Sequence, residues 1–150
     1  MKALLALFGF IVTAFIAAAS GLVAPPGEWY ASLNRPSYAP PDWLFGPVWT
    51  VLYLLMAAAA WRVWRVVGLR HPALLAWGVQ LVLNATWTPI FFGLNLLGWA
   101  LIQMSVLWLA IAVCVREFHR IDRIAARMLW PYWAWVSFAW VLNFGFWWLN

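Results

Sequence analysis

The long uncharged stretches of this 150-residue chain hold few polar side chains, and three of these recur at helical spacing. Gln80, Asn84 and Thr88 stand four residues apart, which places them on one face of a helix. An unpaired amide in an apolar environment is energetically costly, so Asn84 requires a hydrogen-bond partner. The partner is either a side chain of a neighbouring helix or a bound ligand, and the sequence leaves both interpretations open.

Tryptophans accompany this polar face, and 15 of the residues are of this type. Trp87 lies about one turn beyond the central amide. Trp49 shares a helix face with Tyr53, and Trp135 shares one with Ala139 in the same way. Most other tryptophans lie near the ends of apolar runs, where indole rings typically form belts at membrane interfaces. The three internal tryptophans predict a cavity that stacks on a flat, apolar molecule.

The elements that position these residues follow from the charge pattern. Nine basic and four acidic residues leave uncharged runs at 3–27, 43–61, 71–115 and 128–150. A hydrocarbon core about 30 Å thick needs roughly 20 apolar residues per helix, so the third run is long enough for two spans and a turn. We predict an all-α membrane protein, a five-transmembrane-helix bundle that forms a single domain over 1–150. The predicted spans are 3–24, 43–66, 72–93, 98–118 and 127–148.

Basic residues also predict the orientation. Eight of the nine fall on the side of the N-terminus and of the links near 67–71 and 116–127, and only Arg35 falls on the other. This bias places the N-terminus in the cytoplasm and the 25–42 loop and the C-terminus outside. The first span also resembles a signal peptide, but the apolar run from Ala3 to Val23 exceeds the usual 7–15 residues of such a segment. We therefore predict a retained helix.

The sequence lacks the residues on which several classes of function depend. No charged or histidine side chain lies inside a predicted span, which disfavours proton relays and ion-coupled transport. His71 and His119 fall at helix ends far from the predicted cavity, so axial haem ligation there is not expected. Cys114 is the single cysteine and excludes an internal disulfide or a cysteine metal cluster. Because the basic residues bracket apolar spans, they indicate topology rather than nucleic-acid binding. We predict no metal site and no obligatory cofactor.

The external segment 25–42 is predicted to be a lid. It contains five prolines, which partly fix its backbone, and it is long for a connection in a compact domain. Its aromatic residues Trp29, Tyr30 and Tyr38 favour packing on the bundle rather than free motion.

Several of these segments together resemble the TspO/MBR family, which includes tryptophan-rich sensory proteins, translocator proteins and peripheral-type benzodiazepine receptors. The resemblance covers essentially the whole chain. The matching segments are 29–41 (WYASLNRPSYAPP), 47–50 (PVWT), 84–93 (NATWTPIFFG), 131–135 (PYWAW) and 142–144 (LNF).

The resemblance implies a homodimeric five-helix bundle with a cavity beneath the first loop. It implies binding of tetrapyrroles such as protoporphyrin IX and haem, and of synthetic isoquinoline carboxamides and benzodiazepines, for sensing, sequestration or transport. The alternative that it implies is a light-dependent, enzyme-like degradation of porphyrin through Trp49 and Trp135; otherwise no catalytic residue is expected. The candidate ligand-binding residues from spacing and resemblance are Trp29, Trp49, Tyr53, Asn84, Trp87, Trp135 and Ala139.

Two departures qualify what the resemblance implies. The C-terminal cholesterol motif of some relatives needs a tyrosine followed by a basic residue, whereas this chain has Phe144 and no later base. Cholesterol binding by that route is therefore not expected. Some bacterial relatives are outer-membrane proteins, but the positive-inside bias here favours the inner membrane of a bacterium. Small residues such as Ala17 and Ala76 on helix surfaces agree with the implied dimer.

Overall fold

The computed structural model describes residues 1–150 and consists of helices, turns and loops without strands. A short 3₁₀ turn, Asp42–Leu44, precedes the second long helix, and a π-helical turn, Pro89–Gly93, follows the third. The α-helices are α1 (Lys2–Ala18), α2 (Ser20–Val23), α3 (Glu28–Ser32), α4 (Phe45–Val67), α5 (Pro72–Thr88), α6 (Leu97–Ile121), α7 (Arg123–Met128) and α8 (Trp130–Leu149).

Four helical segments are long and apolar enough to cross a membrane. They are Lys2–Val23, Asp42–Val67, Pro72–Gly93 and Leu97–Ile121, and they correspond to the first four predicted spans. The fifth long helix, α8, has 20 residues but is not among them. Its tryptophans, tyrosine and asparagine lower its mean hydropathy, although at about 1.5 Å per residue a helix of this length reaches across the hydrocarbon core. The all-helical membrane architecture is thus present.

The helix boundaries differ from the predicted spans at two places that shape the lid end of the bundle. The first span is interrupted at Ala19, where α1 ends and the short α2 begins. The third span changes its hydrogen bonding at Pro89, because proline has no N–H to donate to the preceding turn. The amide of Leu94 then bonds to the carbonyl of Pro89 at 2.9 Å, five residues back, as in a π-helix.

The helices pack as a closed ring in which α1 lies between α4 and α5, and α6 lies between α5 and α8. At the end remote from the lid, α7 completes the contact with α4. Small side chains allow close approach of helices there. The fully buried alanines at this end include Ala57, Ala59, Ala60, Ala73, Ala125 and Ala126. The lid end has a separate core around Phe91, Leu142 and Phe146, and the space between the two cores is left for a cavity.

Asp122 joins α6 to α7 and ties both to α4. One of its carboxylate oxygens accepts hydrogen bonds from the amides of Ile124 at 2.8 Å and Ala125 at 3.1 Å, which caps α7. The other lies 2.8 Å from the Arg62 guanidinium. Partial burial alone would raise the pKa of Asp122, but the capping bonds and Arg62 together lower it below the usual value.

Replacing Asp122 by alanine is expected to lower the free energy of unfolding by about 1 kcal/mol, the usual effect of losing an N-cap. Because the pKa is lower in the folded state, this stabilisation is present above the unfolded-state pKa and is lost as the pH falls through the folded-state pKa. Glu117→Ala is the matched control, since its exposed pair with Arg120 should contribute less than about 0.5 kcal/mol. Thermal unfolding in detergent at several pH values measures both; equal losses for the two variants would contradict the assignment.

Candidate functional site

The lid, residues 25–42, is held in shape by an internal ion pair. Arg35 bonds to both carboxylate oxygens of Asp42 at 2.9 and 3.1 Å and to the carbonyl of Pro40 at 3.1 Å. Its guanidinium also lies 5.7 Å from the centre of the Tyr30 ring, within the range of a cation–π contact. Burial raises the pKa of Tyr30, which therefore stays a neutral phenol. The lid is a folded segment with its own polar contacts.

Three contacts fasten the lid to α8. The hydroxyl of Tyr38 donates to the carbonyl of Val141 at 3.1 Å. The backbone of Asn34 exchanges two hydrogen bonds with the side chain of Asn150, at 2.9 and 3.1 Å. Gly145 faces the lid, and a Cβ atom placed there would lie 2.7 Å from Cγ of Pro36 and would clash with the Tyr38 hydroxyl. The close packing of lid and helix therefore depends on the missing side chain at this position.

Beneath the lid lie two adjoining pockets that share part of their walls: an inner lobe of about 410 Å³ and an outer lobe of about 290 Å³. The larger lobe is within the size range of small-molecule pockets, and the smaller lobe is at the lower limit of that range. Their walls are mostly apolar, with few polar atoms. The residues that line both lobes, and so mark where they join, are Gly21, Trp49, Trp87, Thr88, Met104 and Ala139.

A chain of buried hydrogen bonds forms one end of the inner lobe. Tyr53 and Asn84 line this lobe, and the Tyr53 hydroxyl donates to the amide oxygen of Asn84. The Asn84 amide nitrogen donates at 3.1 Å to the hydroxyl of Tyr132, which donates at 2.8 Å to Gln80. These bonds join α4, α5 and α8. Asn84 thus has hydrogen-bond partners on neighbouring helices, which is one of the two interpretations that the sequence leaves open. It also borders the cavity.

The outer lobe lies directly under the lid and is more aromatic. Trp135 lines it, and the indole N–H of this residue is buried without a hydrogen-bond partner. Trp87, by contrast, donates its N–H to the amide oxygen of Asn143 at 3.1 Å, and Asn143 donates in turn to the carbonyl of Leu97 at 3.1 Å. The ring centre of Trp87 lies 4.8 Å from that of Phe91. Fixed aromatic faces, neutral polar groups and, at the lid, the carboxylate of Asp42 therefore surround this space.

The one charged side chain that lines the cavity is that of Asp42, which is paired with Arg35 at the lid. No three His, Cys, Asp or Glu side chains come together as a group that could hold a metal ion. His71 lies at the start of α5, where its ring accepts a hydrogen bond from the amide of Ala73 at 3.2 Å and caps the helix. The arrangement is suited to a flat, neutral or weakly polar conjugated molecule, which aromatic faces can stack on.

Comparison with known proteins decides the family. The sequence profile described as the TspO/MBR family matches residues 3–149. The chain belongs to the TspO/MBR family. It is 42% identical over 145 residues to Protein CrtK of Rhodobacter capsulatus, covering 94% of this chain and 90% of that protein. Identity to the human Translocator protein is 40% over 124 residues, or 80% of this chain and 73% of the relative.

A further relative is the Tryptophan-rich sensory protein of Cereibacter sphaeroides, which is 38% identical over 135 residues, or 90% of this chain and 85% of the relative. Membership of the TspO/MBR family, together with helices long and apolar enough to span a bilayer, makes this chain an integral membrane protein.

Six of the seven candidate residues border the cavity of this TspO/MBR protein. Those six are Trp49, Tyr53, Asn84, Trp87, Trp135 and Ala139. Trp29 borders neither lobe; its ring packs at a steep angle on Phe91, 6.0 Å between centres, and supports the cavity wall from behind. Sequence reasoning assigned no ligand contact to Met104 or Phe91. Both are ordinary apolar residues whose inward orientation is fixed by packing, so no spacing signal distinguishes them.

Proposed function

We propose that this protein binds tetrapyrroles such as protoporphyrin IX or haem, and related flat apolar molecules, in the two-lobed cavity for sensing, sequestration or transport. The observation that carries the proposal is the pair of indoles, Trp49 and Trp87, that line both lobes beneath the lid. The tetrapyrrole is a ligand and not an obligatory cofactor. Synthetic isoquinoline carboxamides and benzodiazepine-type compounds, which are also flat and largely apolar, belong to the same ligand class.

The binding proposal extends to the membrane arrangement. We place α8 as a fifth span, with the N-terminus in the cytoplasm and the lid and C-terminus outside, in the inner membrane if the organism is a bacterium. Support for the orientation comes from the basic residues, of which only Arg35 lies on the lid side. We propose a homodimer through α5, where Ala76 is half-buried and small enough for close helix contact. Cholesterol is not proposed as a ligand.

Energetically, binding rests on stacking and exclusion of water rather than on charge. The only cation near the lid is Arg35, whose guanidinium is already paired with Asp42. A porphyrin carboxylate would have to compete with that pair at the exposed rim, where ion pairs typically contribute about 0–1 kcal/mol. Affinity should therefore depend weakly on salt and strongly on the aromatic walls.

The proposal is tested by titrating purified full-length protein with protoporphyrin IX in darkness and then repeating the measurement under illumination. Saturable quenching of tryptophan fluorescence in darkness, at about one ligand per chain, is the expected result. Absence of saturable binding would overturn the proposed function.

Asn84→Ala is expected to weaken protoporphyrin binding by about three- to tenfold, the equivalent of one lost hydrogen bond of about 0.5–1.5 kcal/mol. The substitution removes the amide that connects the hydroxyls of Tyr53 and Tyr132, so the inner lobe loses its fixed polar end. Gln103→Ala is the matched control, because Gln103 bonds α6 to α5 but does not line either lobe. Equal affinities of the two variants would contradict a role for Asn84 in the site.

Light-dependent porphyrin degradation is the second candidate function. It is favoured by the position of two indoles, Trp49 and Trp135, on the walls of the same cavity, where they can exchange electrons with an excited ligand while dissolved dioxygen acts as the oxidant and supplies the oxygen of the ring-opened product. Trp135→Phe should retain stacking but lose the indole, and so reduce photodegradation more than affinity. Trp140→Phe serves as control, since its indole bonds to Ser105 outside the cavity. The measurement is the rate at which a bilin-like absorbance appears; equal rates in both variants would remove this candidate.

A further inference from the structure

The two parts of the first span pack on different neighbours. The helix α1 lies along α4, and Phe15 contacts Tyr53 with ring centres 6.1 Å apart. After the interruption at Ala19, α2 packs instead on α5 and on the π-helical turn Pro89–Gly93. The lid-side end of α4 therefore loses its neighbour on this flank of the bundle.

The inner lobe of the cavity extends to the surface at this place. Gly21 and Leu22 of α2 and Gly46 and Thr50 of α4 line the lobe, yet all four are exposed on the outside of the bundle. A residue that borders both a cavity and the exterior marks an opening in the wall. A Cβ atom built on either glycine would meet no atom within 4 Å, so the gap between α2 and α4 is empty space.

The surface around this gap is apolar, whereas the outer lobe reaches the surface at the polar lid, where Pro26 and Asp42 are exposed. Leu22 and Val23 are each 83% exposed, and Val51 is 55% exposed. Contact of these apolar side chains with water would be unfavourable. In a membrane-spanning bundle such a surface faces lipid tails. On the lid side, the bonds of Asn34 to Asn150 and of Tyr38 to Val141 hold the lid against the end of the bundle.

We propose that the gap between α2 and α4 is a lateral portal, through which a flat, membrane-dissolved ligand enters the cavity from the lid-side half of the bilayer without opening of the lid. This inference rests on the proposed ligand-binding function. Gly21 and Gly46 keep the portal open by the absence of side chains, and Thr50 forms its edge.

The portal is tested by filling it. Leu22→Trp and Thr50→Phe place a ring at the outer edge of the gap. Gly21 is left unchanged because it lines both lobes, and Gly46 is left unchanged because a side chain there would clash with the ring of Pro47 in a helical conformation. Gly9→Phe is the matched control, since Gly9 lies in α1 with open space around it and borders neither lobe. Stopped-flow fluorescence with protoporphyrin IX, on the full chain in lipid nanodiscs, gives the association and dissociation rate constants.

A portal requires both rate constants to fall together, by about tenfold, in the two filled variants while the dissociation constant changes little, because a barrier is raised by the same amount in both directions. Rate constants equal to those of Gly9→Phe would overturn the portal. Faster association after Asn150→Ala or Tyr38→Phe, which remove bonds between the lid and the C-terminal end of the bundle, with no effect of filling would also overturn it. Failure of the unaltered protein to bind protoporphyrin IX would instead overturn the proposed function itself, so the two failures are distinguishable.

Discussion

Replacing Gly145 by alanine is expected to force the lid away from α8 and to lower the free energy of unfolding by about 1–3 kcal/mol, the usual cost of inserting a methyl group into a packed contact. The added Cβ would lie 2.7 Å from the ring of Pro36 and would clash with the Tyr38 hydroxyl. The tyrosine could rotate, but the proline ring belongs to the lid backbone and cannot move alone. The lid must therefore shift as a unit and lose its bonds to Val141 and Asn150.

Gly78→Ala is the matched control for this substitution. Gly78 lies within α5, and a Cβ atom there would meet no atom within 4 Å, so alanine should be neutral or stabilising through its helix propensity. Amide hydrogen exchange should increase across 25–42 in the Gly145 variant and stay unchanged in the Gly78 variant. Unaltered exchange in the lid after Gly145→Ala would show that the lid does not depend on this contact.

The long helices could be predicted from the sequence because charge and hydropathy divide the chain so clearly. The four apolar segments begin and end within a few residues of the predicted spans. The interruption at Ala19 could not be predicted, because alanine favours a helix and no proline or glycine stands at that position. The packing partners change at this point, and α2 contacts α5 rather than α4. The loop between α6 and α8 likewise contains a helix, α7, capped by Asp122.

Part of the cavity wall could also be predicted, because helical spacing shows which residues share a face. Helical spacing places Trp49 with Tyr53 and Trp135 with Ala139, and these pairs do border the cavity. Spacing shows which residues share a face but not which face turns inward. It therefore could not select Met104 on α6, nor foresee that Trp29 would lie behind Phe91.

The fastening of the lid was also beyond sequence reasoning. The proline-rich, aromatic composition of 25–42 predicts a packed lid, but the partners of Asn34 and Tyr38 lie more than 100 residues away along the chain. Gly145 gives no local signal either, since it stands inside a regular helix where glycine is merely unfavourable. Its role appears only when Pro36 and Tyr38 are brought against it.

The second large effect is expected at the junction of the two lobes. Ala139 lines both of them and is small, so phenylalanine at this position would place a ring where the lobes join. A flat ligand that occupies both lobes would lose its binding space, and a loss of about 1.4 kcal/mol or more corresponds to at least about a tenfold weaker affinity. Ala134→Phe is the matched control, because Ala134 is exposed on the same helix and lines neither lobe.

Binding in the two-lobed cavity is tested most directly by a dark titration of three proteins with protoporphyrin IX: the unaltered chain, Ala139→Phe and Ala134→Phe. Thermal unfolding of each protein first establishes that all three are folded. If the ligand occupies the two-lobed cavity, binding to the unaltered protein and to Ala134→Phe is saturable, and the affinity of Ala139→Phe is reduced by at least about tenfold. Equal affinity of Ala139→Phe and Ala134→Phe would contradict it, because the ligand would then lie outside the two-lobed cavity.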